Sequence, residues 1–266
     1  MSDAGQHIIS GHDKKSGGNI NLLAIDTTLG ACSAAIYKSG EIFSLHTEME
    51  RGHAERLMPM IEELRTQADI AMSDLDRIAV TSGPGTLTGV HIGIAAARGL
   101  ALGVGCKIFH ATSLRLIALK AIKELKSHDQ QSTQLDQNFI TIAMDARRGE
   151  VYLQCFDNQA NPITKAAART PGDAIAEIDE QAKRLNMASI IIGSASDILS
   201  AEGLSGRQVV ANNLKDIQPN AKELVELALS ADADDDEKDL SDHVSPLYLR
   251  APDAKPQIGK SLLRAG

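Results

Sequence analysis

At 266 residues the chain is long enough to bury a sizeable core, as one large domain or as two lobes. Hydrophobic residues make up 43% and charged residues 23%, and no apolar run reaches the ~20 residues of a membrane-spanning helix, which argues against a membrane role. The formal net charge is −8, and a large share of it sits in the run Ala231 to Asp239, with six acids and one lysine. With no cluster of Lys and Arg elsewhere, contact with nucleic acid is expected only through a partner.

Residues 1–18 mix Asp3, Asp13, Lys14 and Lys15 with Gly and Ser, lack the apolar centre of a secretory leader, and read as a disordered extension. The short apolar run Leu22 to Asp26 predicts a strand that ends in a carboxylate. A tight turn, Thr27 to Gly30, and a β-prone stretch, Ala31 to Tyr37, follow it. Next come a strand over Glu41 to His46, a helix over Glu55 to Ala68, a strand over Arg77 to Ser82, a helix over Thr88 to Gly103 and a short strand over Lys107 to Phe109. Alternating strands and helices predict an α/β class. The apolar stretch Val90 to Val104 contains His91, Arg98 and three glycines and reads as a buried helix. A helix over Ser113 to Lys126 and the polar stretch Ser127 to Asn138 then separate two halves.

The second half opens on the same phrase. Ile140 to Asp145 is again an apolar strand ending in Asp, followed by the turn Ala146 to Gly149 and the β-prone stretch Glu150 to Phe156. Asp145 follows Asp26, and Gly149 follows Gly30, by the same 119 positions, so the chain reads as a duplication. A helix around Pro171 to Leu185, a strand over Ser189 to Gly193 and a helix over Asn220 to Ser230 complete a shorter second lobe. The expected organisation is an extension over 1–18, an N-terminal lobe over 19–112, a helix and linker over 113–138, a C-terminal lobe over 139–230, and an acidic loop with a tail over 231–266. Cys32, Cys106 and Cys155 are an odd count at wide spacing, which argues against disulfides and structural zinc and fits a reducing cytoplasm.

A strand-terminal Asp followed by a hairpin of small residues resembles the phosphate-handling turns of the actin, sugar-kinase and chaperone-ATPase (ASKHA) superfamily. In such turns backbone N–H groups face the anion and the carboxylate holds metal or water. Two such turns at matched spacing point to that ancestry, although capping of turns by Asp26 and Asp145 is the simpler reading of either alone. Each turn has one glycine, and Arg147 and Arg148 crowd the second. The segment Thr81 to Gly93 joins strand to helix through Gly83, Pro84 and Gly85; with Thr86 or Thr88 as N-cap, the helix start could hold an anion. These residues define a degenerate nucleotide or anion site of Asp26, Thr27, Thr28, Gly83, Gly85, Asp145 and Gly149. Along the following helix Gly89, Gly93, Ala97 and Ala101 recur at i+4, and packing in the chain's own core is the favoured account of that flat stripe, a partner helix the sharper one. The earlier helix places Leu57, Met60, Ile61, Leu64 and Ala68 on one apolar face. Core packing is the simpler account there, and partner contact the sharper one.

The motifs Asp26-Thr-Thr, Gly52-His-Ala-Glu-Arg-Leu, Gly83 to Gly93, Met144 to Tyr152 and Pro246 to Arg250 occur together and in order, and in this the chain resembles the TsaB (formerly YeaZ) family from about Asn19 to Pro252. Leu87 and His91 depart from the usual family wording, which has Phe and Arg there. The resemblance implies a two-lobed ASKHA fold of duplicated ribonuclease-H-like lobes. It further implies a non-catalytic scaffold in the complex that installs a threonylcarbamoyl group on the adenosine beside the tRNA anticodon. The implied partners are a TsaD-like catalytic paralogue, a TsaE-like ATPase, tRNA only through the complex, and a second copy of the chain when TsaD is absent. His53, Leu57, Met60, Ile61, Leu64, Gly89, Gly93 and Ala97 are the expected partner surface. No cofactor is required, and weak ATP or ADP binding is expected at the interface with partners.

No catalytic residue and no metal site are expected. Catalytic relatives carry two histidines at i and i+4 on a helix, whereas this chain has His53 and Leu57. Neither Cys106 nor Cys155 sits in a recognisable hydrolase signature. The competing class is an independent ATP-dependent enzyme, a small-molecule kinase or carbamoyltransferase using Asp26 and Asp145. Against it stand the single-glycine turns and Gly193-Ser-Ala-Ser196, where active relatives often place two adjacent glycines against the adenine.

Overall fold

The computed structural model describes residues 20–127, 135–233, 240–241 and 243–250. The expected extension over 1–18, the middle of the expected linker, most of the acidic run before Asp239 and the tail from 251 lie outside these residues. The chain divides into two compact units.

The first unit takes the described residues of 20–81, 91–111 and 220–244. Its sheet contains β1 (Leu22–Asp26), β2 (Ala31–Lys38), β3 (Glu41–Glu48), β4 (Arg77–Thr81), β5 (Lys107–Ala111) and the two-residue β11 (Leu240–Ser241), in the order β11-β5-β4-β1-β2-β3. β1, β4 and β5 run parallel, whereas β2, β3 and β11 are antiparallel to their neighbours. β1 is buried along its whole length, which explains why its sequence is a continuous apolar run and does not alternate. Helix α1 (His53–Gln67) packs on β2 and β3. Its Pro59 falls in the second turn of the helix, at an exposed position.

The second unit takes the described residues of 82–90, 112–219 and 245–250. Its sheet has the order β10-β9-β6-β7-β8, with β6 (Asn138–Asp145), β7 (Val151–Phe156), β8 (Ala167–Arg169), β9 (Ala188–Ile192) and β10 (Gln208–Val210). β6, β9 and β10 are parallel, and β7 and β8 antiparallel. Matching β6 to β1, β7 to β2, β8 to β3, β9 to β4 and β10 to β5 reproduces both strand order and strand direction. The duplication seen in Asp26 and Asp145 is therefore a duplication of whole sheets, and the fold is the ASKHA type. Helix α4 (Pro171–Leu185) starts at the N-cap Thr170, whose side chain accepts from Asp173 N. It stops at Asn186 in the left-handed conformation. Its Ala174, Ile178 and Ala182 enter a core with Phe139, Leu153, Cys155 and Leu199 of α5 (Ser196–Gly203).

Two helices lie elsewhere than the sequence reading put them. α3 (Ser113–Ser127), read together with the linker, is an integral helix of the second unit. Its Leu114, Ile117, Ala118, Ala121 and Leu125 are buried, it packs on β6 and β7, and Lys120 donates to Gln218 O at 3.1 Å. A stripe that apolar has to be covered, so it cannot serve as a spacer. α6 (Ala221–Ala233), read with the C-terminal lobe, lies across the first sheet. Ala221 N donates to Ser33 Oγ at 3.0 Å, and Arg77 donates to Ala228 O at 3.0 Å. The chain thus returns to its first unit over 220–244 before residues 245–250 rejoin the second.

α2 (Leu87–Val104) is long and apolar enough, by length and composition alone, to cross a membrane. Gly89, Val90, Gly93, Ile94, Ala97 and Ala101 are nevertheless buried within this α/β body. The expectation of a buried helix holds for that face only, because the opposite face is exposed.

Candidate functional site

Asp26 ends β1 at the sheet centre and is 1% exposed, with Thr27 and Thr28 equally covered. Its Oδ2 accepts from Thr28 Oγ1 at 2.9 Å, and its Oδ1 faces Thr28 N at 3.4 Å. Burial raises this carboxyl above its ordinary value, opposed by the neighbouring Thr81 and Thr28 hydroxyls, the Thr28 amide and His53. Gly93 of α2 covers the turn so closely that a Cβ on it would lie 2.7 Å from Thr27 Oγ1. The turn's side chains are therefore engaged with the chain itself. His53 fastens it from another side, with Nε2 3.1 Å from Leu29 O.

The glycine loop of the second unit is also committed internally. Gly83 has φ 99°, open to glycine at low cost, and the Gly83–Pro84 peptide is cis. Gly83 O accepts from Ser113 N at 2.9 Å, and Ser82 O accepts from Leu247 N at 2.8 Å. Thr86, and not Thr88, is the cap of α2: its Oγ1 accepts from Gly89 N at 3.1 Å. Gly85 is half-buried beside it.

The second turn joins β6 to β7. Asp145 N donates to Ser194 Oγ at 3.0 Å, and Asp145 Oδ1 accepts from Arg147 N at 2.7 Å. Arg147 Nη1 lies 3.2 Å from Asp145 Oδ2. The turn closes with Ala146 N to Glu150 O at 3.0 Å and Glu150 N to Arg147 O at 3.2 Å. Gly149 has φ 77° and is exposed. Beside this turn Gly193 has φ 110°, and a Cβ there would fall 2.4 Å from Ala143 O. The loop after β9 must therefore keep glycine for close passage over β6, whatever it binds.

Of the residues expected to meet a partner, His53, Leu57, Met60, Ile61 and Leu64 form the buried face of α1, and Gly89, Gly93 and Ala97 form the buried edge of α2. Within the chain itself Gly93 lets α2 sit close to Thr27, Val80 and Ile25. The surface of these helices is made by other residues. On α2 the exposed residues Leu87, His91, Ala95, Arg98, Gly99 and Leu102 fall along one stripe of the helix, Leu87 at 66% and Leu102 at 87% exposure. On α1 Met58 is 49% exposed. Sequence periodicity does not pick out Leu87 and Leu102, because α2 carries large apolar residues on both faces, Val90 and Ile94 buried and Leu87 and Leu102 exposed.

The thiols offer no activated nucleophile. Burial pushes Cys32 and Cys155 each up to about 11, and burial also raises Cys106.

Residues 47–257 match the family model described as TsaD, tRNA N6-adenosine threonylcarbamoyltransferase. The chain is 27% identical to the tRNA threonylcarbamoyladenosine biosynthesis protein TsaB of Escherichia coli, over 87% of this chain and 95% of that protein. It is 26% identical to the protein of the same name from Bacillus subtilis, over 89% of this chain and 96% of that one. The solved structure of YeaZ from Pseudomonas aeruginosa superposes with a TM-score of 0.71 at 28% identity, covering 86% of this chain and all of that one.

Proposed function

Because the chain belongs to the threonylcarbamoyltransferase family of proteins, within its TsaB (YeaZ) group, we propose that it acts in tRNA threonylcarbamoyladenosine biosynthesis as a non-catalytic subunit. It pairs in the cytoplasm with a TsaD-like catalytic paralogue, works alongside a TsaE-like ATPase, and pairs with itself when the paralogue is absent. The observation that carries this reading is the outer stripe of α2, where the large apolar residues Leu87 and Leu102 are left exposed beside Ala95 and Gly99, with His91 and Arg98 between them. Covering a residue such as Leu102 is worth about 1.5–3 kcal/mol. The engaged phosphate turns support the non-catalytic half of the reading: Asp26 is buried under α2, and Asp145 already serves Arg147. An independent kinase would need both carboxylates free to face a metal-bound nucleotide.

The test substitutes the outer stripe and leaves the inner one alone. Leu102→Glu combined with Ala95→Glu should keep the melting temperature of the chain and abolish pairing with the catalytic paralogue in sizing experiments, together with the stimulation of threonylcarbamoyl transfer. A doubly substituted chain that pairs and stimulates like wild type would defeat the proposal.

A further inference from the structure

The β6–β7 turn is built in a way that a connector alone does not require. Arg147 has φ 62° and Arg148 φ 57°, ahead of Gly149 at 77°. The turn closed by Glu150 N and Arg147 O has Arg148 and Gly149 as its central pair, both at positive φ. Asn, Asp or Gly is the ordinary choice for the first of these positions. Two successive arginines in the left-handed region are instead strained, a strain that survives only where the surroundings impose it.

Those surroundings are visible. Arg250 Nε donates to Glu150 Oε2 at 2.6 Å, and its Nη2 reaches the same carboxylate. Nη2 also donates to Arg147 O at 3.2 Å and approaches Ala146 O at 3.4 Å. One guanidinium therefore ties both arms of the turn, while Asp145 holds the Arg147 amide. The side chains carried by this braced turn point outward: that of Arg147 is 86% exposed, and Arg148 is exposed as well.

We propose that Arg147 and Arg148 contact RNA phosphates, so that this chain contributes a phosphodiester-binding turn to the tRNA complex. The inference rests on the functional reading above and names the RNA contact within it. Small anions are taken up in concave sites, whereas these guanidinium groups stand on the outside of a hairpin, as contact with an extended backbone requires. The Arg147–Asp145 pair is a solvent-exposed surface pair, so exchange of that carboxylate for a phosphate costs little. Forked guanidinium donors suit phosphate oxygens better than point charges do. In a chain of net charge −8, such a turn is a local positive feature.

The experiment assembles the chain with its catalytic paralogue and titrates a tRNA transcript over a salt series. Arg147→Gln and Arg148→Gln should each weaken binding and flatten the slope of log K against log salt by about 0.7–0.9 per lost phosphate contact. Arg250→Ala, which keeps both arginines and removes the brace, should weaken binding by a smaller factor. Affinity and slope equal to wild type in the Arg147→Gln/Arg148→Gln double variant overturn the proposal, and if that complex still modifies tRNA the functional reading stands without it. A double variant that fails to assemble, with the RNA slope of the residual complex unchanged, places the arginines against an acidic protein surface and also overturns it. A wild-type complex that assembles and binds no tRNA sinks the functional reading itself.

Discussion

Asp26 shows how a residue type associated with phosphate chemistry can be turned to structural use. Its carboxyl is raised by burial despite the Thr81 and Thr28 hydroxyls, the Thr28 amide and His53. Below the ordinary value of 3.8, both folded and unfolded chains hold the proton and the residue has no effect on pH dependence. As pH climbs past that value the unfolded chain ionises first, and folded stability falls until the folded carboxyl ionises too, after which the loss is constant. Asn at this position can still accept from Thr28 and never ionises. Asp26→Asn is therefore expected to be at least as stable as wild type at neutral pH, with an advantage that shrinks as pH is lowered toward 4. Urea midpoints at the two pH values measure this. A wild type more stable than the variant at pH 7 would mean that the ionised carboxylate has a role which burial does not reveal.

α2 owes its place to Gly93 and its outward character to the residues one helix face away. A Cβ on Gly93 would meet the fully buried, β-branched Thr27, whose hydroxyl has little room to retreat, while a Cβ on Gly99 would meet nothing within 4 Å. Gly93→Ala should accordingly destabilise the isolated chain by about 1–3 kcal/mol through overpacking. Gly99→Ala should stabilise it by up to about 1 kcal/mol through helix propensity. Chemical unfolding of the dilute protein separates the two, and equal responses would sink this account of the helix. Elements whose pattern is local were legible in the sequence: β1, β6, both Asp turns, α1 and α4 all lie where their residues point. Two further facts depend on tertiary pairing that no local pattern records. One is the outer face of α2, the other the Arg250–Glu150 brace, whose members stand in separate motifs 100 positions apart. The assignment of α3 and α6 to their units escaped for the same reason, since an apolar stripe announces burial and does not say against which sheet.

At the scale of the molecule, the duplicated sheets give the chain the ASKHA type of fold, while its two Asp turns are spent on internal contacts. What remains available is surface: the apolar stripe of α2, and the arginine turn of the second unit. A single apolar stripe can be covered only once at a time, so pairing with another copy and pairing with the catalytic paralogue should exclude each other. The last prediction follows from that exclusion. Adding the paralogue to the self-paired chain should convert it into a one-to-one heterodimer, with the self-paired species falling in proportion and with no assembly that retains a self-contact through α2. Mass measurement in solution over a titration reads the species directly. Under the proposed function Leu102→Glu should remove both pairings together, because each would cover the same 87% exposed side chain. If that substitution abolishes one pairing and spares the other, or if a stable assembly holds two copies joined through α2 while also bound to the paralogue, the two contacts occupy different surfaces, and the outer stripe of α2 is the site of one alone.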